Sequence, residues 1–502
     1  MTPTDPATSA LLTDLYELTM ALGYWREGRA EQEAAFQLYF RTAPFRGGYT
    51  VACGLEPALS YLESLRFTDD DLGYLATLRG ADDSPLFPRE FLDALGTMRL
   101  TLDVDMVPEG TVVFPNEPLV RVRGPLLQAQ LVETALLTHI GFSTLVATKA
   151  ARICLAANGG EVLEFGLRRA QGPDGGLTAS RAAYIGGCSS TSNVLAGQRY
   201  GIPVKGTHAH SWVMVFDDEL EAFRAYADAM PNNVVFLVDT YDTLDGVRHA
   251  VEIGRRLRAN GHRLLGVRLD SGDLAYLSIE ARRILDEGGF TDTAILASND
   301  LDEHLITSLK QQGAAITVWG VGTRLATAYD QPALGAVYKL SAVRDEAGEW
   351  SPRVKVSEQS AKTTYPGLLQ VRRYHRTEAD PSRGTYIGDM LVDELIPPPP
   401  DADVTMVDPL DLTRRKRFAG SAPFQLLLEP AMRAGVRVRN PEPLSVTRDR
   451  VVNELAGFHA GIKRLVNPHR YPIGLERGMQ ERNTALVLAT RAKRSINGDP
   501  AS

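Results

Sequence analysis

Short apolar segments alternate with helical segments through the middle of the chain. Each apolar segment ends in polar residues or glycine, and the six segments span residues 161–168, 204–210, 234–239, 264–270, 294–300 and 315–322. Between them, apolar residues recur every three or four positions, as do Leu274, Leu277 and Ala281 after a capping signal at Asp273. This alternation predicts a parallel β-sheet with crossover helices.

Polar residues lie repeatedly at the points where these predicted strands end. An α/β barrel builds its active site at the carboxyl ends of its strands. A doubly wound open sheet would gather such residues mainly at one switch point. The repeated placement therefore favours a barrel, and the open sheet is the second choice.

The regions on either side of this core follow other patterns. Residues 13–28 have the spacing of an amphipathic helix, and residues 103–124 contain short alternating segments that predict a small sheet. Residues 126–157 are again helical, and the pattern weakens towards the C-terminus. There, a polyproline break at residues 397–400 is followed by a basic run at residues 414–417, which we interpret as a solvated loop.

Composition excludes several classes of protein. The chain has 502 residues, of which 44% are hydrophobic and 23% charged, so it can bury a sizeable core and is not disordered throughout. Its 54 basic side chains are outnumbered by 62 acidic ones, and the net charge of −8 gives no general attraction for nucleic acid or an anionic membrane. Any anionic ligand must therefore be held by local groups.

The cysteine count and the apolar runs bear on location. The three cysteines form no CxxC pair, which indicates neither a disulfide framework nor a thiolate zinc site and fits a reducing cytoplasm. Apolar runs such as residues 234–238 are too short to cross a bilayer, and no Lys or Arg precedes Arg26. We therefore expect neither a membrane span nor a signal peptide.

The segment at residues 206–211 (GTHAHS) carries the first candidate chemistry. If it is a strand end, His208 and His210 share one face and Thr207 lies on the other. The two imidazoles could be metal ligands, structural histidines, or a nucleophile and proton carrier that works near neutral pH. No HExxH motif or cysteine cluster accompanies them, so a metal site is the weakest of these alternatives.

Two later strand ends combine an arginine, carboxylates and small polar residues. Arg268 and Asp270 share a face, so they could recognise an anion and stabilise a cationic centre, or simply pair with each other. Ser298 and Asn299 precede a helix, where they could contact phosphate or serve as N-caps. The segment at residues 320–323 (GVGT) allows backbone N–H groups to approach a phosphate, although it is a poor dinucleotide fingerprint.

Seven motifs occur in an order and spacing that resemble the nicotinate phosphoribosyltransferase family. They are residues 13–20 (TDLYELTM), 40–49 (FRTAPFRGGY), 164–169 (EFGLRR), 206–211 (GTHAHS), 267–273 (VRLDSGD), 298–300 (SND) and 320–323 (GVGT). The resemblance implies an incomplete TIM-like α/β barrel at residues 141–345. It also implies an α/β sandwich domain formed from N- and C-terminal segments, residues 1–140 and 346–502, and a homodimer with shared active sites.

The reaction that the resemblance implies joins nicotinate to phosphoribosyl pyrophosphate. Its products are nicotinate mononucleotide and pyrophosphate, with coupled hydrolysis of ATP to ADP and phosphate, which places the family among the ATP-dependent ligases. The nicotinate mononucleotide enters NAD synthesis. Magnesium is expected on the pyrophosphate group rather than in a dedicated protein site.

Residue roles follow from the same resemblance. Tyr16, from the partner subunit, and Phe165 would stack on the two faces of the pyridine ring. The nicotinate carboxylate would be held by Arg168, Thr207 and Arg268. Ser192 aligns with a position at which the nicotinamide-using relative has Asp, and a hydroxyl can donate to a carboxylate, so the acid is favoured over the amide.

The remaining roles concern the phosphoribosyl group and ATP. His210 would be phosphorylated by ATP, whereas His208 departs from many family members. Asp270 and Asp239 would stabilise the oxocarbenium-like centre and the ribose hydroxyls. The groups expected to contact phosphates of phosphoribosyl pyrophosphate are Gly320, Gly322, Thr323, Ser298, Asn299 and Arg41, with Lys339, Lys355 and Lys362 as further candidates.

Three rival functions remain at this stage. A homologue could use nicotinamide or quinolinate instead of nicotinate. A barrel aldolase or isomerase acting on a sugar phosphate would need a Schiff-base lysine, and Lys205 is the only lysine in the middle strands. A non-catalytic nucleotide-binding protein could use the same scaffold.

Overall fold

The computed structural model describes residues 8–356, 364–376 and 384–497. The candidate Lys362 lies outside the described residues. Two compact units are formed: the first by the described residues within 1–144, 333–443 and 453–502, and the second by residues 145–332 and 444–452.

The α-helices of the described residues are numbered in chain order. They are α1 (Leu15–Arg26), α2 (Leu55–Ser64), α3 (Asp69–Leu75), α4 (Arg89–Thr97), α5 (Leu126–Leu131), α6 (Glu133–Ala157), α7 (Gly172–Ile185), α8 (Val194–Tyr200), α9 (His210–Met214), α10 (Glu219–Ala229), α11 (Thr243–Ala259), α12 (Leu274–Glu287), α13 (Glu303–Gln311), α14 (Thr323–Ala326), α15 (Leu444–Gly457) and α16 (Arg477–Asn497). The helices predicted at residues 13–28 and 126–157 are confirmed.

The β-strands of the described residues are numbered in the same way. They are β1 (Glu33–Phe40), β2 (Thr50–Val51), β3 (Asp103–Met106), β4 (Val112–Val113), β5 (Val120–Pro125), β6 (Glu161–Glu164), β7 (Ser190–Thr191), β8 (Val234–Leu237), β9 (Leu264–Leu269), β10 (Ala294–Ala297), β11 (Val318–Val321), β12 (Ala336–Arg344), β13 (Trp350–Pro352), β14 (Leu369–His375), β15 (Tyr386–Asp393), β16 (Val404–Asp408), β17 (Asp411–Phe418), β18 (Phe424–Leu426), β19 (Glu429–Arg433), β20 (Val436–Arg437) and β21 (Ile473–Glu476).

The second unit is an incomplete α/β barrel, as the sequence predicted. Its six-stranded sheet has the order β7-β6-β11-β10-β9-β8, and all five strand pairs are parallel. Strands in this order run around a ring that remains open between β7 and β8. β6, β10 and β11 are buried over most of their length, because helices cover parallel sheets on both faces.

One predicted strand of this ring is wrong. Residues 204–210 form no strand; Val204 makes a single parallel bridge to Thr191, and the chain then leaves the sheet. The segment is mostly exposed and includes Gly206, so it has no apolar face to hold a strand in place. A short strand that the pattern did not reveal, β7, lies next to β6 instead.

The first unit is an α/β unit formed from N- and C-terminal segments. Its seven-stranded sheet has the order β13-β12-β1-β5-β3-β19-β20, so N-terminal strands lie between strands from the later part of the chain. A six-stranded sheet, β17-β16-β21-β15-β14-β18, is built from C-terminal strands alone. The basic run at residues 414–417 lies in β17 and is not the predicted loop; β17 is an edge strand of its sheet and is mostly exposed, a position that charged side chains suit.

Among the described residues, one segment passes the length and apolarity criteria for a membrane span. It covers Leu126–Ala157, and 72% of its most apolar 18-residue window is buried within the protein. A search for uninterrupted apolar runs in the sequence does not single out this segment, because its apolarity is an average over a longer stretch. Its charged residues Lys149 and Arg152 are buried and both pair with Glu303, at 2.8 Å each, as in a core helix.

The core of the first unit contains a buried ion-pair network centred on Arg373. Its guanidinium lies 2.7 Å from Asp389 and 2.6 Å from Glu454, and it also donates to the Val112 carbonyl at 2.7 Å. The Tyr471 hydroxyl donates to Asp389 at 2.8 Å. Because several donors surround each carboxylate, the desolvation cost of the charges is offset within the network.

We expect Arg373→Met to lower the free energy of unfolding by about 3–5 kcal/mol, because it leaves Asp389 and Glu454 buried without their shared cation. Arg417→Met is the matched control; its side chain is 74% exposed and pairs with Asp403 at the surface, where solvent screens the charges, so the loss should be much smaller. Urea denaturation measures both. Equal losses of unfolding free energy in the two variants would contradict the conclusion that Arg373 holds together a buried ion-pair network.

Candidate active site

The candidate site is organised around the guanidinium of Arg268 in β9. Arg268 donates from Nη1 to the Thr207 hydroxyl at 2.9 Å, from Nε to the Ser298 hydroxyl at 2.8 Å, and from Nη2 to Asp270 Oδ1 at 3.0 Å. Ser298 in turn donates to the same carboxylate oxygen. The ends of β9 and β10 and the segment that carries Thr207 are therefore joined by one planar cation.

Asp270 follows β9 and faces His210. Burial raises the pKa of Asp270, but the Ser298 hydrogen bond and the positive charge of Arg268 lower it by more, so the net pKa is below its ordinary value. The carboxylate is therefore ionised at neutral pH. Its Oδ2 lies 3.7 Å from Nε2 of His210, which is the first residue of α9.

The two histidines have different environments. His210 is partly exposed, and its Nδ1 lies 3.2 Å from the Thr240 hydroxyl. His208 is buried among aromatic rings, and its Nε2 accepts the Leu237 N–H at 3.2 Å. Leu237 ends β8, the strand at the open side of the barrel, so His208 satisfies a backbone donor that has no neighbouring strand.

Burial lowers the pKa of His208, although its Nδ1 contact with the Ala209 carbonyl acts in the opposite direction. The Nε2 atom that accepts from Leu237 carries no proton, so His208 is a neutral structural residue. The expectation that His208 and His210 lie on one face of a strand is wrong, because this segment is not a strand.

Asp239 supports the loop that carries Asp270. Its Oδ2 accepts the Asp270 N–H at 2.8 Å and the Ser271 hydroxyl at 2.6 Å. Within the part of the chain that the structure describes, Oδ1 of Asp239 is buried and has no hydrogen-bond partner. A buried carboxylate oxygen of this kind can accept from a ligand hydroxyl or from a cation's water.

Phe165, Gly320 and Gly322 pack closely at the ends of β6 and β11. A Cβ on Gly320 would lie 2.9 Å from the Phe165 ring, and one on Gly322 would lie 3.1 Å from the Phe165 carbonyl oxygen. The ring centroid is 5.8 Å from the Arg268 guanidinium carbon. Small residues at both positions therefore allow an aromatic ring to lie beside the arginine.

The candidate phosphate contacts lie at neighbouring strand ends. Thr323 begins α14 directly after Gly322, and Ser298 is buried after β10. Asn299 has a φ of 92° and Asp300 a φ of 42°, both in the region that favours glycine. Non-glycine residues held in such conformations are concentrated at functional sites.

Other predicted residues do not join the Arg268 cluster. Arg168 is exposed in a short 3₁₀ turn, Leu167–Arg169, and Ser192 follows β7 with its N–H donating to the Glu164 carbonyl at 2.9 Å. Tyr16, Arg41, Lys339 and Lys355 belong to the first unit.

Within the first unit, Tyr16 is 46% exposed in α1 beside the fully buried Glu17. Burial raises the pKa of Tyr16, and burial also raises the pKa of Glu17, to about 7. The Arg41 guanidinium lines a cavity of about 350 Å³ together with His469 and Arg470. Lys339 lies 3.7 Å from Glu133.

Three residues of the site were not singled out from the sequence: Glu164, Thr191 and Thr240. Glu164 and Thr240 each lie at or just after the end of a strand, which is the signal that identified Asp239 and Asp270. Thr191 lies in β7, which the pattern did not predict. Among residues 8–356, 364–376 and 384–497, no cluster of three or more His, Cys, Asp or Glu side chains could hold a metal ion.

The fold and site define an open-barrel class of α/β protein that solved structures share. The crystal structure of nicotinate-nucleotide pyrophosphorylase from Pyrococcus furiosus matches with a TM-score of 0.68 at 21% identity, covering 91% of this chain and 98% of that chain. The crystal structure of human nicotinic acid phosphoribosyltransferase matches with a TM-score of 0.80 at 34% identity, covering 94% of this chain and 99% of that chain.

Family models place the chain more narrowly. The nicotinate phosphoribosyltransferase family model matches residues 161–380, and models of that family's N- and C-terminal domains match residues 11–141 and 371–482. Nicotinate phosphoribosyltransferase from Bacillus subtilis (strain 168) is 45% identical over 93% of this chain and 92% of its own length. The human protein of that name is 39% identical over 75% of this chain and 78% of its own length.

The chain therefore belongs to the nicotinate phosphoribosyltransferase family. The resemblance inferred from the seven motifs is confirmed.

The lowered pKa of His208 predicts a pH dependence of stability. The unfolded chain takes up a proton near the ordinary pKa of 6.5, whereas folded His208 resists it, so this contribution to stability is complete above pH 6.5 and is lost as the pH falls below it. We expect the stability difference between the wild type and His208→Gln to shrink from pH 7.5 to about pH 5.5, measured by urea denaturation at each pH. A difference that stays constant would contradict a buried neutral His208.

Proposed function

We propose that this protein is a nicotinate phosphoribosyltransferase that joins nicotinate to phosphoribosyl pyrophosphate. Membership of the family over nearly the whole chain supports this activity. The observation that carries it furthest is the set of hydrogen bonds joining Arg268, Asp270 and Ser298 beside His210. It places an anion-binding cation next to an ionised carboxylate and a partly exposed imidazole, which is the chemistry that the reaction requires.

Nicotinate recognition is assigned to the arginine side of the cluster. Arg268 and Thr207 would bind the carboxylate, since charge-assisted hydrogen bonds from a guanidinium suit a planar carboxylate. Phe165 would contact one face of the pyridine ring, and its distance of 5.8 Å from the guanidinium suits a ring whose carboxylate reaches the arginine. Arg168 and Ser192 are proposed to complete this pocket, where the Ser192 hydroxyl would donate to the acid.

Bond formation takes place at C1 of the ribosyl group. The pyridine nitrogen donates its electron pair to C1, while the bond from C1 to the pyrophosphate oxygen breaks and pyrophosphate leaves with that pair. Positive charge develops on the ribosyl ring, and the ionised Asp270 would stabilise it. The buried Oδ1 of Asp239 would accept from a ribose hydroxyl.

The phosphate groups are assigned to the neighbouring strand ends. The backbone amides of Gly320 and Gly322, with Thr323, Ser298 and Asn299, would contact the 5-phosphate. Arg41, with Lys339 and Lys355 as further candidates, would contact the pyrophosphate. Mg²⁺ bound to the pyrophosphate would neutralise its charge as it leaves, and the buried Asp239 oxygen suits an outer contact to such an ion's water.

ATP is proposed to phosphorylate His210. If Nδ1 donates to the Thr240 hydroxyl, Nε2 keeps its electron pair and is the nucleophile that takes the γ-phosphoryl group, releasing ADP. Water later removes the phosphoryl group as inorganic phosphate. This coupling is the basis for assigning the protein to the ATP-dependent ligases.

The biological setting is also a proposal. Phe165 contacts one face of the nicotinate pocket, so a second aromatic from a partner subunit, Tyr16, would complete it in a homodimer with shared sites. A half-exposed tyrosine on an N-terminal helix suits this role. Cysteines that form no disulfide bond fit a cytoplasmic enzyme of NAD synthesis, with no nucleic-acid or membrane partner.

Turnover with labelled ATP tests the activity and the histidine assignment together. With nicotinate, phosphoribosyl pyrophosphate, Mg²⁺ and ATP, we expect the wild type to form nicotinate mononucleotide and to take up an acid-labile phosphate from γ-labelled ATP. His210→Ala should lose the label and the stimulation by ATP, because its nucleophilic nitrogen is absent.

His208→Gln is the matched control, and it should keep the label because His208 is neutral and buried. Absence of the mononucleotide from wild-type reactions across neutral pH would refute the proposed activity. Label that persists in His210→Ala but disappears in His208→Gln would refute the histidine assignment alone.

A further inference from the structure

Glu164 is a fully buried carboxylate in the second unit, and none of the roles assigned above uses it. It ends β6 and is 1% exposed. One carboxylate oxygen accepts the Gly166 N–H, and the other accepts the Ser180 hydroxyl at 2.9 Å and the Thr191 hydroxyl at 2.6 Å. The side chain therefore acts only as an acceptor, from groups on three different elements.

Thr191 extends this network to the next loop. Its hydroxyl donates to Glu164 and accepts the Asn193 N–H at 3.0 Å. The Asn193 side chain donates to Ser180 at 3.2 Å and accepts the Ala196 N–H at 3.2 Å, which caps α8. Glu164, Ser180, Thr191 and Asn193 are all at most 2% exposed, and we refer to these four residues as the Glu164 clamp.

The clamp holds the two loops that carry the proposed nicotinate contacts. The Gly166 N–H, which it binds directly, lies between Phe165 and Arg168. Ser192 lies between Thr191 and Asn193, and its own N–H donates to the Glu164 carbonyl at 2.9 Å. Through its main chain and side chain, Glu164 therefore contacts both loops on either side of the pocket.

A role in packing alone would not account for a buried carboxylate that accepts three hydrogen bonds. Burying a carboxylate has a large desolvation cost, and apolar side chains of the same volume often stabilise a core equally well. Hydrogen bonds, by contrast, are directional and fix the loop backbone relative to the strand. Catalytic and binding groups need positions accurate to about 0.5 Å, which rigid supporting hydrogen bonds provide.

We propose that Glu164 and Thr191 are positioning residues that set the affinity and selectivity for the pyridine carboxylate. This proposal rests on the proposed function for the identity of the substrate. The side chains of the clamp bond to the loops that carry the proposed nicotinate contacts and to the cap of α8, whereas only the backbone of Glu164 reaches the strand end assigned to phosphates, by pairing with Val321 of β11. We therefore expect loss of the side-chain bonds to affect the pyridine substrate more than phosphoribosyl pyrophosphate.

The test compares Thr191→Val with Thr191→Ser. Valine has nearly the shape of threonine but cannot donate to Glu164 or accept from Asn193, whereas serine keeps the hydroxyl. We expect Thr191→Val to raise KM for nicotinate about tenfold, with KM for phosphoribosyl pyrophosphate within about twofold of the wild type. Thr191→Ser should restore the wild-type KM for nicotinate to within about twofold.

Glu161→Gln is the control at the other end of β6, where Glu161 is partly exposed and pairs with Ser189 and Lys205. It should change neither KM. Hydrogen exchange at residues 165–169 and 191–193 provides a readout independent of turnover, and it should be faster in Thr191→Val than in Thr191→Ser.

The outcomes distinguish the proposed activity, the positioning role of Thr191 and the Glu164 clamp itself. If the wild type forms no nicotinate mononucleotide, the proposed function fails, and hydrogen exchange alone reports on the clamp. If Thr191→Val raises both KM values equally, or if serine does not restore the nicotinate KM, the positioning role is refuted. Unchanged exchange in both loops would refute the clamp itself.

Discussion

The site depends on one guanidinium that is shared by the ends of β9 and β10 and by the segment that carries Thr207. Arg268 binds Thr207, Asp270 and Ser298, at donor–acceptor distances of 2.8–3.0 Å. No lysine could do this, since its ammonium is a point charge without the planar fork. The hydrogen bond from Ser298 and the charge of Arg268, which position Asp270, also lower its pKa, so the geometry and the charge of the carboxylate have a common origin.

The opening of the barrel imposes the second constraint. A complete ring would pair the backbone of β8 with another strand, but here the chain leaves the sheet after Val204. The buried imidazole of His208 satisfies the Leu237 N–H, which has no neighbouring strand, and His210 is left partly exposed beside Asp270. Two histidines separated by one residue therefore have different environments, because one completes the sheet edge and the other lies beside Asp270.

Much of the fold followed from periodicity, and much of the site followed from the position of polar residues at strand ends. Five of the six predicted core strands were found because each centres on a short, mostly apolar run, as in β8 (VVFL) and β10 (AILA), of the kind that parallel sheets bury. β7 has two residues and residues 204–210 have only one bridge, so neither leaves a periodic pattern. Burial and hydrogen-bond partners could not be read from the sequence either; they show the different environments of His208 and His210 and identify Glu164 as an acceptor with three donors.

The most direct test of the role of Arg268 is the kinetics of Arg268→Lys, which retains the charge but not the fork. We expect the variant to fold, and kcat/KM for formation of nicotinate mononucleotide to fall by about a hundredfold or more, because Thr207, Asp270 and Ser298 lose their common donor. A folded lysine variant with kcat/KM within about threefold of the wild type would show that charge alone is sufficient. That result would contradict the central place of the guanidinium contacts.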